Sequence, residues 1–309
     1  MLNRYQVAEP TLEKDPITVV IPTHNAGYRL VELLDGLQGQ TVKPAQILVI
    51  DSGSTDKTPE LARSRNCKVI TIDRINFEHG TTRNLAVSEV STEFTVFLTQ
   101  DAIPANEYMI AELIKPMQAN PNIAICYGRQ LPRPNARPLE RLAREFNYPS
   151  QPALKTKNDT KTLGLKTFFC SNSCSAIRCS TFNELGGFEN NVIVNEDMLF
   201  AAKAILEGYS VYYAADAKVY HSHAYSLLQT FRRCFNIGRF FADNRWLLKH
   251  AGLKRYGYGM FRSGVKTFWQ KRMPHYIAAL LVELTVKAAA CKLGWYYQLL
   301  FYDKHKTHL

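Results

Sequence analysis

The sequence predicts an α/β fold: a mostly parallel sheet with helices on both faces, followed by a helical, basic C-terminal region. Three observations carry this. Short apolar β-branched runs alternate with helix-spaced segments from residue 17 onward, which is the pattern of repeated β–α units. The runs end in polar turns, as buried parallel strands do. Beyond residue 225 the chain becomes helical in spacing throughout and changes charge. Residues 1–224 hold 23 Lys+Arg and 24 Asp+Glu, whereas residues 225–309 hold 15 and 3. The net charge of +11 therefore resides in the last segment. We expect a catalytic unit over 1–224 and a basic amphipathic helical region over 225–309.

The elements follow in order. ITVVIPT is a first strand, and GYRLVELLDGLQGQ a helix with Leu30, Leu33, Leu34 and Leu37 on one face. AQILVIDSGSTD is a second strand entering a turn, KTPELARSR a helix, and CKVITID a third strand. GTTRNLAVSEV is helical, EFTVFLTQDAIP is a fourth strand with a polar end, ANEYMIAELIKPMQ is helical, and IAICYGRQ is another strand. Residues 131–166 carry five prolines and one helical segment, PLERLAREFNY, and form an excursion of the kind that carries function. TFFCSNSCSAIR returns to strand character, STFNELGGF is a short helix closed by glycines, EDMLFAAKAILEGY is a helix and SVYYAADAKVYHSH a strand and loop.

Several classes are disfavoured. There is no G-x-x-x-x-G-K-[ST], no G-x-G-x-x-G after the first strand and no G-x-S-x-G elbow. The seven cysteines contain no C-x-x-C pair and read as reduced, mostly buried thiols. The N-terminus has no apolar core of a signal peptide. The most apolar stretch, 276–301, is interrupted by Glu283, Lys287 and Lys292, so no transmembrane helix is expected. The basic tail suits an anionic partner, either a membrane surface or nucleic acid. No helix-turn-helix, zinc finger or RNP motif supports nucleic acid, and none is expected as a partner.

Ligands of open α/β sheets sit at the carboxyl ends of the strands. The polar groups there are Pro22, Thr23 and Asn25, then Asp51 with DSGSTD, then Thr99, Gln100 and Asp101. Further on, Glu196 and Asp197 stand side by side at a helix start, where carboxylates commonly cap. His221 and His223 are two apart and would share a face of a strand.

VVIPTHNAGYRLVELLDGLQGQT followed by ILVIDSGSTDKT resembles the opening of the family 2 glycosyltransferases, inverting enzymes of the Rossmann-like GT-A fold. HGTTRNLA, FLTQDAIP, GGF and the ED pair fall in that family's order, and the likeness covers about residues 15 to 240. FEHGTTRN, LTQDA, SNSCSAIR and VYHSH are most similar to its bacterial rhamnosyltransferase branch, which builds O-antigen and other surface polysaccharides.

The resemblance implies roles. Pro22, Thr23, Asp51, Arg83, Thr99, Gln100 and Asp101 would bind the nucleotide sugar. Asp101 and His221 would hold Mg²⁺ or Mn²⁺, and Asp197 would be the general base. Glu196 would help as a cap or acceptor contact, with Ser171 and Asn172 near the acceptor. Thr99 departs from the family's D-x-D pattern and suits a deoxyribose donor such as dTDP-β-L-rhamnose; a UDP-hexose or UDP-N-acetylhexosamine is the alternative. The acceptor would be a glycan on a polyprenyl diphosphate, and the protein a cytoplasmic one, peripheral on the inner face of the cell membrane.

Overall fold

The computed structural model describes residues 16–251 and 256–302. One sheet is built from β1 (Ile17–Thr23), β2 (Gln46–Asp51), β3 (Lys68–Thr71), β4 (Phe94–Leu98), β5 (Ile103–Pro104), β6 (Ile123–Leu131), β7 (Ala153–Lys155), β8 (Cys174–Arg178) and β9 (Ser210–Tyr220). Its order is β3-β2-β1-β4-β8-β6-β9-β5, with β7 also paired to β9. The first four strands are mutually parallel, as the alternation predicts. β8 then enters antiparallel to both β4 and β6, while β6 and β9 run parallel. The sheet is therefore mixed, its parallel half being the part built from regular β–α units. β8 departs because it follows the long excursion after β6 rather than a single crossover helix.

The helices are α1 (Tyr28–Gln38), α2 (Thr58–Ser64), α3 (His79–Ser88), α4 (Met109–Ala119), α5 (Pro138–Asn147), α6 (Thr160–Leu163), α7 (Cys179–Glu184), α8 (Glu196–Leu206), α9 (Leu227–Asp243), α10 (Arg245–Ala251), α11 (Tyr256–Gln270) and α12 (His275–Phe301). Strand side chains alternate between two cores. Val19 and Ile21 join Leu30, Leu33, Leu34 and Leu37 of α1 and the apolar face of α4 on one side. Val20, Leu48 and Ile50 join Ala86 of α3 and the Met198–Ala202 face of α8 on the other. The segment TFFCSNSCSAIR is strand only from Cys174; Gly164–Phe168 form a 3-10 turn. Buried Lys155 donates to the carbonyl of Phe169 and to the Tyr127 hydroxyl at 3.1 Å, which bends this stretch out of the sheet.

The C-terminal helices are tied to the rest. Phe240 of α9 and Leu247 of α10 belong to the α8 core, and Leu142 of α5 packs with Met260, Phe268 and Leu280 of α11 and α12. Within the basic region expected to be amphipathic over 225–309, the apolar residues are divided: Phe240 and Leu247 face inward, while Trp269 is 72% exposed. Lys254, Arg255 and the Tyr256 side chain lie outside the described residues. All seven cysteines are free, five of them buried.

α9 and α12 touch backbone to backbone. A Cβ on Gly238 would lie 2.0 Å from the Cys291 carbonyl oxygen, and one on Gly294 would lie 1.9 Å from that of Phe235. Neither obstacle is a flexible side-chain end, so the helices must separate to admit a methyl group. Gly238→Ala and Gly294→Ala are each expected to destabilise the protein by about 1–3 kcal/mol, the usual range for overpacking. Thermal melting followed by circular dichroism tests this, and an unchanged midpoint in both variants would refute the close crossing.

Candidate active site

The cleft lies at the carboxyl ends of β1, β2 and β4. Thr23 donates its hydroxyl to Asp51 Oδ1 at 3.0 Å, and Ser54 donates its hydroxyl to the same oxygen and its amide to Oδ2 at 2.5 and 2.9 Å. Asp51 is buried, so the turn after β2 is folded around its carboxylate. Gln100 clamps the end of β1: it accepts from the His24 amide at 2.8 Å and donates back to the His24 carbonyl at 3.2 Å. Pro22 sits within β1, paired to Ile50. Pro22, Thr23, Asp51, Thr99, Gln100 and Asp101 thus share one end of the sheet.

Asp101 follows β4 and meets the histidines that follow β9. Its Oδ1 is 3.4 Å from His221 Nε2, and its Oδ2 is 3.6 Å from His223 Nε2. The two Nε2 atoms are 3.0 Å apart. Asp101, His221 and His223 each offer one ligand atom, all within 4.8 Å of one another. The donor chemistry suits a divalent metal. His221 Nδ1 donates to Gln130 Oε1 at 2.9 Å, so Nε2 is the nitrogen turned to the cluster: while it carries a proton it donates to Asp101, and its lone pair is the one a metal would take in place of that proton. Burial pushes the His223 pKa down to about 4, with His221 next in effect, which keeps that ring neutral and able to ligate. Burial opposes the charge on Asp101, but the hydrogen bond and charge of His221 outweigh it and hold the carboxyl well below its ordinary range. The Thr99 hydroxyl is buried without a regular hydrogen bond and lies near enough to Asp101 to assist.

A second cluster surrounds the acids that open α8. Arg83 Nη1 donates to Glu196 Oε1 at 2.9 Å and to the His79 carbonyl at 3.0 Å. Both side chains of this ion pair are buried, at 3% and 7% exposure. Asn172 donates its side-chain amide to Glu196 Oε1 at 3.3 Å and its backbone amide to Asp197 Oδ2 at 3.1 Å. Ser171 accepts from Gln130 Nε2 at 2.8 Å. Arg83, expected to bind the nucleotide sugar, is paired with Glu196: its helix packs against α8, and a buried guanidinium needs a counter-charge. Glu196 is likewise held by Arg83 and Asn172. Asp197 retains partial solvent access. Burial, then the neighbouring Glu196 carboxylate, pushes its carboxyl up to about 7. A carboxylate of that pKa is suited to accept a proton near neutral pH.

His223, Gln130 and Arg144 complete the site beyond the set expected from sequence. His223 had a signal in its spacing from His221. Gln130 and Arg144 had none, since their roles arise from packing across β6.

An α/β sheet with acids at its strand ends, a metal-ligand cluster and an isolated raised carboxyl form the parts of a sugar-transfer enzyme. The chain belongs to glycosyl transferase family 2, whose model matches residues 18–186, and it is a glycosyltransferase. It is 42% identical over 285 residues to the O-antigen chain rhamnosyltransferase RfbN of Salmonella typhimurium, covering 91% of this chain and 90% of that protein. It is 41% identical over 284 residues to the O-antigen chain rhamnosyltransferase WbaN of Salmonella anatum, with the same coverage. Among solved structures it is similar to the mannosyltransferase PcManGT of Pyrobaculum calidifontis in complex with GDP-Man and Mn²⁺. That likeness has a TM-score of 0.61 at 18% identity over 91% of this chain and 87% of that one. S. aureus TarS 1-349 in complex with UDP-GlcNAc gives 0.54 at 17% identity, covering 93% of each chain. Both likenesses establish the GT-A fold.

The raised Asp197 carboxyl carries a stability signature. Its ordinary value is 3.8 and its folded value about 7, so the folded state holds the proton more tightly than the unfolded. Stability is then lost as pH rises from about 4 through about 7. Asparagine cannot ionise and removes that loss. Asp197→Asn is expected to melt several degrees above wild type at pH 8 and close to it at pH 4. Equal differences at the two pH values would show that this carboxyl titrates ordinarily.

Proposed function

We propose that the protein is an inverting rhamnosyltransferase of surface-glycan synthesis that uses dTDP-β-L-rhamnose. The observation that carries the donor is the likeness to two O-antigen chain rhamnosyltransferases over nine-tenths of the chain. Thr99 in place of an acid supports it, since a deoxyribose offers no 2′-hydroxyl to bind. In this reading Pro22, Thr23 and Asp51 receive the nucleoside. Asp101, His221 and His223 would hold a Mg²⁺ or Mn²⁺ ion, which supplies positive charge against the departing diphosphate.

Asp197 takes the proton of the acceptor hydroxyl as its oxygen bonds to the anomeric carbon. The bond to the diphosphate breaks on the opposite face, so the β-linked donor gives an α-linked product. Glu196 contributes by position: Arg83 neutralises it, so the second carboxylate beside Asp197 does not compete for the proton. Asn172 aims the base through its backbone amide.

Asp197→Asn is expected to lower transfer by roughly 10²–10⁴-fold while dTDP-rhamnose still protects the protein against thermal unfolding. In wild type, dTDP-rhamnose should protect more than UDP-glucose or UDP-N-acetylglucosamine, and EDTA should remove both protection and turnover. Near-wild-type turnover in the asparagine variant would remove Asp197 from this role. Stronger protection by a UDP-sugar would replace the donor.

We further propose that the acceptor is a glycan on a polyprenyl diphosphate and that the protein docks on the cytoplasmic membrane face. No described helix is long and apolar enough to cross a membrane. Support comes from the outward side of α12, where Leu281, Val282, Leu293, Tyr296, Leu300 and Phe301 are each more than half exposed. Exposed Arg262, Lys266, Lys271, Arg272 and Lys292 accompany them, and each basic residue near anionic lipid adds about 1 kcal/mol. Flotation with phosphatidylglycerol vesicles is expected at low salt, falling as salt screens the charges and weakening in Leu293→Asp/Leu300→Asp. Absence of flotation at low salt would eliminate this docking mode.

A further inference from the structure

A cavity of about 730 Å³, open on one side, is bordered by the 187–193 loop, α8, α9, Trp246 of α10 and the end of α12. Its size is that of a small-ligand site. Both of its long walls continue along the chain toward residues of the candidate active site. The loop wall passes Asn190 and Asn191 and then turns at Asn195, in the left-handed region with φ 65°, into Glu196 and Asp197. On the α9 wall, Arg233 comes within electrostatic range of the His79 and His223 rings. Asn236, Arg239 and Asp243 follow along the same helix and line the cavity. From Asn236 to Asp243 the helix advances about 10 Å, which is room for more than one sugar ring.

The lining favours a neutral polyol over an ion. Arg239 Nε donates to Gln298 Oε1 at 2.8 Å, and Gln298 Nε2 donates to the Asp243 carboxylate at 2.9 and 3.0 Å. The two charges are thereby linked through one buried amide, and neither stands free to recruit a phosphate or a cation. Glu189, Lys203 and Glu207 at the rim are of mixed sign. Planar amides and carboxylates match pairs of adjacent hydroxyls in their donor and acceptor geometry. Trp246 and Tyr302 supply aromatic surface for the apolar C–H face of a sugar. The side-chain amide of Asn236 is half-buried and has no hydrogen-bond partner among the described residues, so its donors and acceptor are available to a ligand.

We propose that this cavity is an acceptor subsite, holding neutral sugar units of the glycan that precede the unit whose hydroxyl reacts at Asp197. The proposal rests on the transferase reading, and its test is a binding measurement independent of turnover. Methyl glycosides of hexoses and the corresponding neutral di- and trisaccharides are titrated by saturation-transfer NMR against wild type and Asn236→Trp, which fills the cavity. Expected is binding that strengthens from mono- to trisaccharide and is at least tenfold weaker in Asn236→Trp. Should that variant fail to fold, Asn236→Ala removes only the amide and is expected to weaken binding about tenfold, as the loss of a buried hydrogen bond does. If no saccharide binds, or if binding is the same in wild type and the folded variant, the cavity is a packing gap and the proposal falls. Failure of the transferase reading would appear separately, as no thermal protection of wild type by any nucleotide sugar while saccharide binding persists.

Discussion

One carbonyl oxygen, Oε1 of Gln130, sets the state of the cleft. It accepts from Arg144 Nη1 and from His221 Nδ1. A guanidinium can only donate, so Arg144 fixes which end of the amide is oxygen, and the oxygen in turn fixes the proton on His221 Nδ1. His221 Nε2 then faces Asp101 and His223 as a ligand atom. The amide's nitrogen donates to Ser171, whose neighbour Asn172 holds both Glu196 and Asp197. A single side chain therefore couples the Asp101–histidine cluster to the Glu196–Asp197 pair. It can do so because β6 lies between β8 and β9 in the sheet, so the end of β6 is adjacent to the loop leading into β8 and to the histidines after β9.

The adjacent acids at the start of α8 divide their work by partner. Two carboxylates next to each other on a helix start raise each other's proton affinity unless one is neutralised. Arg83 neutralises Glu196 in a buried pair, and breaking such a pair by removing one partner typically costs about 3–5 kcal/mol. Among the described residues Asp197 has no such cation in contact, and burial and then the Glu196 charge raise its carboxyl against the opposing effect of the Asn172 and Met198 amides. The distinction between the ion-paired acid and the one with a raised carboxyl thus lies in a residue 113 positions away in sequence.

That distance explains what the sequence reveals and what it hides. The strands, the apolar face of α1 and the acids at the ends of β2 and β4 are readable because each is local: a β-branched run, a spacing of three and four, a polar turn. Asp51 and Asp101 need no partner to be noticed. Arg83 is visible as a residue near a helix start, but its engagement with Glu196 follows only from packing α3 against α8. Gln130 and Arg144 leave no trace, because a glutamine in a strand and an arginine on an amphipathic helix are ordinary until β6 is set beside β9. The reversed direction of β8 is hidden for the same reason: a short apolar run carries no sign of its polarity.

The C-terminal region shows how composition can point to the right surface through the wrong residues. Its excess of basic side chains is real, yet Phe240 and Leu247 within the basic stripe are core residues, and the free apolar surface lies on α12. Packing resolves this. α9 presents Gly238 to Gly294 of α12 so closely that neither can carry a side chain, and that contact occupies only one narrow face of a helix whose apolar residues are spread around its circumference. Leu280 packs on Met260 and Phe268 of α11, and among the described residues Leu281, Val282, Leu293, Leu300 and Phe301 stay uncovered. The same tight crossing fixes the place of α9, which carries Arg233 and then lines the cavity of about 730 Å³. A helix that must present charge at one end and a shaped wall at the other cannot also tolerate slack against its neighbour, which is why the smallest residues sit where the helices cross.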